Sequence, residues 1–224
     1  MRIIIQVSAL LLLLINSSKI GAQNFEGKVN YKSEITNVPP EMESMKSMMN
    51  SDVTVYVSGK KVRSEVSNPM TGNIIMLIDM VENESVMCID MMGTKTAVVS
   101  SIEEYKNSQA KGPKPEYRIS KSGETKVVAG YKCEKAVAVY VVDGKESEFE
   151  IWFTREIPNT NVEMTEIPGM PLEYFMKADQ FTIHFVATAV SIEKVDASKF
   201  EIPAGYTKKT MEEFQKQFSA PGKQ

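Results

Sequence analysis

The chain has 224 residues, 42% of them hydrophobic and 25% charged, with a formal net charge of −3. That composition excludes collagen-like, disordered and multi-span membrane classes, and the acidic balance offers no electrostatic footprint for nucleic acid. Two cysteines, Cys88 and Cys133, and one histidine, His184, exclude a zinc finger, a disulfide scaffold, a His-based metal cluster and a His-centred hydrolytic triad.

Met1-Arg2 is a short basic start. Residues 3–15 are an apolar run with Gln6 and Ser8 as its only polar members, and a polar flank leads to Gly21-Ala22. These are the parts of a secretory signal cleaved after Ala22. The run is shorter than the roughly 20 residues of a membrane-spanning helix. The expected organisation is a signal peptide over 1–22, a single β domain over 23–207, and a C-terminal helix with a frayed tail over 208–224. The expected location is the periplasm of a Gram-negative bacterium, or the medium, with no transmembrane anchor after cleavage.

Residues 25–36 alternate as a first strand, ended by Pro39-Pro40. Residues 41–50 predict a short helix with a methionine face, because Pro40 can start it and Met42, Met45, Met48 and Met49 recur at helical spacing. Residues 53–57 and 62–66 alternate around Ser58-Gly59-Lys60, which predicts a hairpin on a three-residue turn. Strands over 74–80, 86–91 and 95–100 follow at even intervals, as in an antiparallel meander. Residues 106–123, rich in Lys, Gly, Pro and Ser around Gly112-Pro113-Lys114-Pro115, predict a surface loop that closes over something.

A second hairpin joins 136–142 to 147–154 through Asp143-Gly144-Lys145. Phe149, Ile151 and Phe153 share one of its faces; Glu148, Glu150 and Trp152 share the other. Strands over 172–177 and 181–195 form the last pair. In the latter the apolar parity switches near 187–189, which predicts a bulge. Residues 196–200 read as a helical turn and 208–218 as a helix carrying Met211, Phe214, Gln215 and Phe218 on one stripe.

About ten alternating strands cannot form one flat sheet. The expected fold is mainly β (α+β): a strongly curved antiparallel sheet or open half-barrel, with two or three short helices covering its concave side.

The pattern resembles the periplasmic lipoprotein-carrier superfamily, which contains LolA, LolB and the RseB N-terminal domain. The resemblance rests on Phe25-Glu26-Gly27, Tyr56-Val57-Ser58-Gly59-Lys60-Lys61-Val62-Arg63, Leu77-Ile78-Asp79, Cys88-Ile89-Asp90 and Phe200-Glu201-Ile202-Pro203-Ala204-Gly205-Tyr206. Within it the chain is similar to a family of uncharacterised secreted domains, through Gly130-Tyr131-Lys132-Cys133-Glu134-Lys135 and Glu150-Ile151-Trp152-Phe153-Thr154. The resemblance implies an open β-barrel with a hydrophobic cavity under helices, binding acyl chains or exported proteins. None of the residues matches a carrier's partner-docking residues.

Of 15 methionines, ten fall between Met42 and Met92. Flexible thioethers line surfaces that fit varied apolar partners, so Met42, Met45 and Met49 are candidates for a movable lid; ordinary core filling explains them as well. Copper(I) capture by Met42, Met45 and Met48 lacks a neighbouring His or Cys. Phe149, Ile151, Phe153, Phe181, Ile183 and Phe185 are the candidate cavity wall. Cys88 and Cys133 read either as a disulfide closing a long loop or as two separate small buried side chains. Glu148 and Glu150 read as a solvated face, His184 as a surface or hydrogen-bonded structural residue, and Trp152 as a contact residue or a covered one. No Gly-x-Ser-x-Gly elbow or phosphate-cradling glycine loop occurs.

The expected function is therefore a cell-envelope binding module, not an enzyme and without cofactor or metal. It would hold a lipid, acyl chain or other apolar small molecule in a curved-sheet cavity. The alternative is a protein–protein interaction or sensor module of the envelope with a filled core.

Overall fold

The computed structural model describes residues 25–69, 72–91, 93–109, 116–119, 123–142, 144–178 and 181–219. The expected signal segment, the centre of the 106–123 loop and the tail beyond 219 lie outside these residues. The strands are β1 (Glu26–Thr36), β2 (Ser51–Ser58), β3 (Lys61–Asn68), β4 (Gly72–Asp79), β5 (Glu84–Met91), β6 (Thr94–Ser101), β7 (Glu116–Ile119), β8 (Thr125–Val128), β9 (Tyr131–Val142), β10 (Lys145–Thr154), β11 (Met170–Ala178), β12 (Phe181–Ile192) and β13 (Thr207–Thr210). The helices are α1 (Lys46–Met49), α2 (Ile102–Gln109) and α3 (Met211–Ser219), with 3₁₀ turns at Pro40–Met45 and Ala197–Phe200.

All thirteen strands form one sheet in the order β13-β6-β5-β4-β3-β2-β1-β12-β11-β10-β9-β7, with β8 also paired to β9. The two ends of this path do not pair, so the sheet is curved but not closed: a mainly β open half-barrel with short helices, as the alternation predicts. Every pair is antiparallel except β13 with β6. The expected count of about ten falls short because β7, β8 and β13 are only four residues each, too short to show alternation.

β1 is the keystone. It buries Gly27, Val29, Tyr31, Ser33 and Ile35 in strict alternation and lies between β2 and β12. The expected bulge is present: Asn30 faces Ala189 and Tyr31 faces Ala187, so Thr188 is the extra residue. Its hydroxyl donates to the Asn30 carbonyl at 3.2 Å. An added Cβ on Gly27 would lie 2.1 Å from the Ser191 carbonyl oxygen, so only glycine permits this close pairing of β1 with β12.

The β2–β3 turn has two residues rather than three, since Ser58 pairs with Lys61. Gly59 at φ +59° fills its first position, the place a type II′ hairpin reserves for glycine.

Two helical expectations and one loop expectation are corrected. Residues 41–50 are not a continuous helix with a buried methionine face: the segment is a 3₁₀ turn followed by one α turn, and neither buries a residue. Residues 106–123 are not all loop. α2 begins inside the preceding segment, launched by a capping box in which the Ser101 hydroxyl accepts from Glu104 N (3.1 Å) and Glu104 accepts from Ser101 N (2.9 Å). The helix read over 208–218 starts later, at Met211, because Thr210 and Glu213 form a second such box and 207–210 pair with β6.

Three buried clusters hold the sheet. One gathers Phe25, Val29, Tyr31, Val53, Val57, Leu172 and Ala187 around β1. A second joins Ala136, Ala138, Tyr140, Ile151 and Phe153 to Met164 and Ile167 of the 155–169 segment. The third, Leu77, Val86, Cys88 and Ala97, is covered by Ile202 and Tyr206 of the C-terminal stretch. Each fully buried aliphatic here contributes about 1.5–3 kcal/mol relative to exposure.

Candidate functional site

Register fixes which side chains share a face, because neighbours across a pair point the same way. Ile151 faces Tyr174, Tyr174 faces Phe185 and Phe185 faces Ser33. One row away Tyr31 faces Val53, which faces Val66, then Ile74, then Ile89. The row beyond runs Val29, Val55, Ser64, Met76, Met87 and Val98. This inner face is mostly apolar from β10 to β6, with Ser33 and Ser64 as polar members of these rows.

Its aromatic centre is Tyr174. That ring stacks on Phe185, with centroids 4.9 Å apart, and meets Tyr31 edge-on at 6.3 Å. Tyr31 is buried and donates its phenol proton to the Pro171 carbonyl at 2.8 Å. Tyr174 and Phe185 stay half-buried, as do Val55, Ser64, Val66, Ile74, Met76, Met87 and Ile89 along the β2–β5 side. The inner face is therefore packed at the β9–β10 end and again at β6, where Thr96, Val98 and Ser100 are buried, and half-buried between them.

The β9–β10 end owes its cover to the 155–169 segment. Ile157, Met164 and Ile167 are only 1–2% exposed. Asn159 shapes the segment by donating to the Met164 and Ile167 carbonyls at 2.6 and 2.8 Å. α2 reaches it through Tyr105, whose hydroxyl donates to Glu163 Oε1 at 3.2 Å. Burial pushes the Glu163 carboxyl above the usual carboxylate range, and the Tyr105 bond and Lys106 offset this only in part. Burial likewise raises the phenols of Tyr105, Tyr117, Tyr140 and Tyr174, and the charge of Glu163 adds to each.

The wall is split beside this cluster. β10 and β11 pair only from Ile151 with Tyr174 to Thr154 with Met170, so 145–150 and 175–178 part from each other. Phe149 stands at the split, 6.2 Å from Phe175 and 5.5 Å from Tyr140.

The sequence-read wall residues are distributed as follows. Ile151 and Phe153 are fully buried in the cluster under the 155–169 segment, with Phe149 packed against it. Phe185 lies at the aromatic centre. Ile183 faces Met176 on one side and Ile35 on the other, and Phe181 pairs with Ala178 at the strand end; both are half-buried. The methionines differ. Met42 and Met49 are half-buried, but Met45 and Met48 are 41% and 49% exposed and join none of the three clusters. Asn68 holds the end of that segment by donating to the Met49 and Asn50 carbonyls at 2.9 and 3.1 Å. The cover on the inner face is thus α2 and the 155–169 segment; the polar sequence of the first and the Pro158 and Pro168 breaks of the second hid them, and the Ser101/Glu104 capping box was the one readable signal.

Of the two readings of the cysteines, the structure has the separate one. Cys88 and Cys133 are free and buried, in separate clusters on β5 and β9, eight strand positions apart along the sheet. Burial raises both thiols, Cys133 to about 11.

On the outer face Trp152 is covered rather than presented. It is 8% exposed, donates to Glu150 at 3.1 Å, and has the ammonium groups of Lys126 and Lys135 at 4.6 and 5.6 Å from its ring centroid. His184 stacks on Phe175 at 4.1 Å and lies 3.3 Å from Glu173. Glu150 is tied to Lys135. Two shallow grooves mark this side. One of about 380 Å³ lies between Lys61, Asp79, Phe200 and Lys208; one of about 430 Å³ lies between Glu124, Lys132, Lys135 and Arg155. Among the described residues no group of three His, Cys, Asp or Glu side chains could hold a metal ion, and no helix is long and apolar enough to cross a membrane.

The model of a family described as Domain of unknown function (DUF4412) matches residues 40–166, more than half of the chain. The chain belongs to the DUF4412 family. The matched stretch runs from the 3₁₀ turn to the 155–169 segment, so Glu163 falls inside it while β1, β11 and β12 lie outside. No curated protein matches.

Among solved structures, one described as PNGF-II aligns with a TM-score of 0.50 and 14% identity over 86% of this chain. The chain spans 33% of that protein's length, and at this identity the likeness shows the fold alone. The lipoprotein LppX of Mycobacterium tuberculosis aligns at a TM-score of 0.40 with 11% identity, over 76% of this chain and 89% of its own. A β-barrel-like protein of another domain of unknown function, DUF1849, from Brucella abortus aligns at 0.34 with 7% identity, over 77% of this chain and 100% of its own.

Proposed function

We propose that this DUF4412 member is a non-enzymatic binding module of the cell envelope that holds an amphiphile, a lipid or another acyl-chain compound, against the inner face of its half-barrel. The observation that carries the reading is the half-buried Tyr174–Phe185 stack and its continuation into half-buried Val55, Val66, Met76 and Met87. A fold that needed this face only as core would cover its middle as fully as its two ends, where the 155–169 segment and the buried Thr96 and Val98 of β6 lie. A concave, mostly apolar surface with few polar groups is the usual form of a small-molecule site. Tyr174, Phe185 and the methionines supply adaptable apolar contact. The lipoprotein-carrier likeness and the envelope location belong to the same reading, the latter resting on the apolar run at 3–15 and on Gly21-Ala22.

The test is uptake of the neutral apolar fluorophore phenylnaphthylamine by delipidated protein. A saturable rise in fluorescence, abolished by an excess of a neutral lipid, is expected. A flat titration would leave the inner face as core and favour the interaction module.

A further inference from the structure

Glu163 is an odd residue for its position. It lies on the segment that roofs an apolar face, between the buried Met164 and the turn built by Asn159 and Asn161. Its backbone is fixed: Glu163 N donates to Asn161 Oδ1 at 2.9 Å, and Asn161 N donates to Asn159 Oδ1 at 2.9 Å. Its carboxylate accepts from the Tyr105 hydroxyl at 3.2 Å. Tyr105 of α2 is the phenol bonded to it, and Tyr140 of β9, with Tyr117 of β7 and Tyr174 of β11 packed alongside, belongs to the buried cluster of the next residue, Met164. Lys106 and Glu166 are the further charges that act on this cluster.

A half-buried carboxylate is costly to desolvate. If its only duty were to accept one phenol bond, a neutral amide would do the same at lower cost. A pre-ordered backbone and a fixed hydroxyl partner are instead what orient a polar group toward a ligand. Tyr174 both packs against the Met164 cluster and belongs to the aromatic stack of the inner face, so the polar group lies at the packed β9–β10 end of the apolar strip.

We infer that Glu163, bonded to Tyr105 and next to the Met164 cluster that carries Tyr117, Tyr140 and Tyr174, receives the polar end of the bound amphiphile and selects a head that donates hydrogen bonds over a carboxylate. This rests on the reading of the inner face as an amphiphile site. A hydroxyl or ammonium head satisfies the acid and replaces its lost hydration. A carboxylate head would sit beside a second carboxylate, and two such groups at close range cannot both stay ionised without cost.

The experiment is competition against phenylnaphthylamine on the delipidated full chain at neutral pH, with three ligands of one acyl length: monopalmitoylglycerol, hexadecylamine and palmitate. The glycerol ester and the amine should displace the probe at roughly tenfold lower concentration than palmitate. In Glu163→Gln the palmitate gap should close and the amine should lose its advantage. Tyr105→Phe, which keeps the ring, should weaken the glycerol ester less than Glu163→Gln does. Equal displacement by all three ligands in the wild-type chain, which needs no variant to fold, overturns the inference while leaving the amphiphile site standing. Preferential binding of palmitate also overturns it and assigns the head to Lys106. Failure of the probe to enter at all overturns both.

Discussion

Tyr174 and Phe185 face each other across β11 and β12 with their rings 4.9 Å apart and 12° from parallel. Both keep accessible surface although the strands on either side are paired. Residues that only fill a core do not usually leave a stacked face half-uncovered, and the proposed site is built outward from this pair.

Replacing Phe185 by Ala removes one face of the stack. An aromatic pair contributes about 0.5–1.5 kcal/mol beyond its burial. We expect a lower thermal midpoint and phenylnaphthylamine uptake weakened by roughly tenfold. Unchanged uptake with lowered stability would move the ligand away from the aromatic centre.

Ile151 and Met45 should separate core from surface. Ile151 is fully buried, so Ile151→Ala should cost roughly 2–5 kcal/mol in a denaturant titration followed by Trp152 fluorescence. Met45 is exposed at 41%, so Met45→Ala should stay within about 0.5 kcal/mol of the parent and leave uptake unaltered. A loss of uptake in Met45→Ala would restore the methionine lid.

Both cysteines should be reduced in the folded protein. Burial raises the thiols of Cys88 and Cys133, so the thiolate fraction and access are low. A thiol reagent should label neither under native conditions and both in denaturant. A mass deficit of two protons, closed by reductant, would contradict the separation of β5 and β9.

Glu163 gives stability a pH dependence of definite sign. Its carboxyl is held above the ordinary value in the folded chain, so the folded state binds the proton more tightly than the unfolded one. Stability from this group therefore falls as pH rises from the ordinary carboxylate range through the raised value. Asp79, Glu134 and Glu150 are lowered and act in the opposite sense, losing stability as pH falls. The difference between Glu163→Gln and the parent isolates the first effect. The variant should gain thermal midpoint relative to the parent as pH rises through that window and lose the advantage in acid. A pH-independent difference would contradict the assignment.

The long strands were readable because their alternation spans enough residues to compete with local noise: 25–36 became β1, and the parity change near 187–189 became the Thr188 bulge. The shared face of Ile151 and Phe185 was readable for the same reason, since each belongs to a period-2 set. β7, β8 and β13 were not, because four residues carry no period. The cover was misplaced because methionine spacing at 42–49 imitates a helical face, whereas the true cover is an irregular segment held by Asn159 side-chain bonds. Glu163 was invisible in the sequence: nothing local distinguishes it from neighbouring Glu166, and only the fold brings Tyr105 to it and Tyr117, Tyr140 and Tyr174 to the adjoining Met164 cluster.

The most direct test is native mass spectrometry of the protein purified from its own cells. The account predicts a population heavier than the bare polypeptide by one amphiphile, stripped by delipidation and restored by adding a lipid. A bare polypeptide mass under gentle conditions, unchanged by any added lipid, would contradict it.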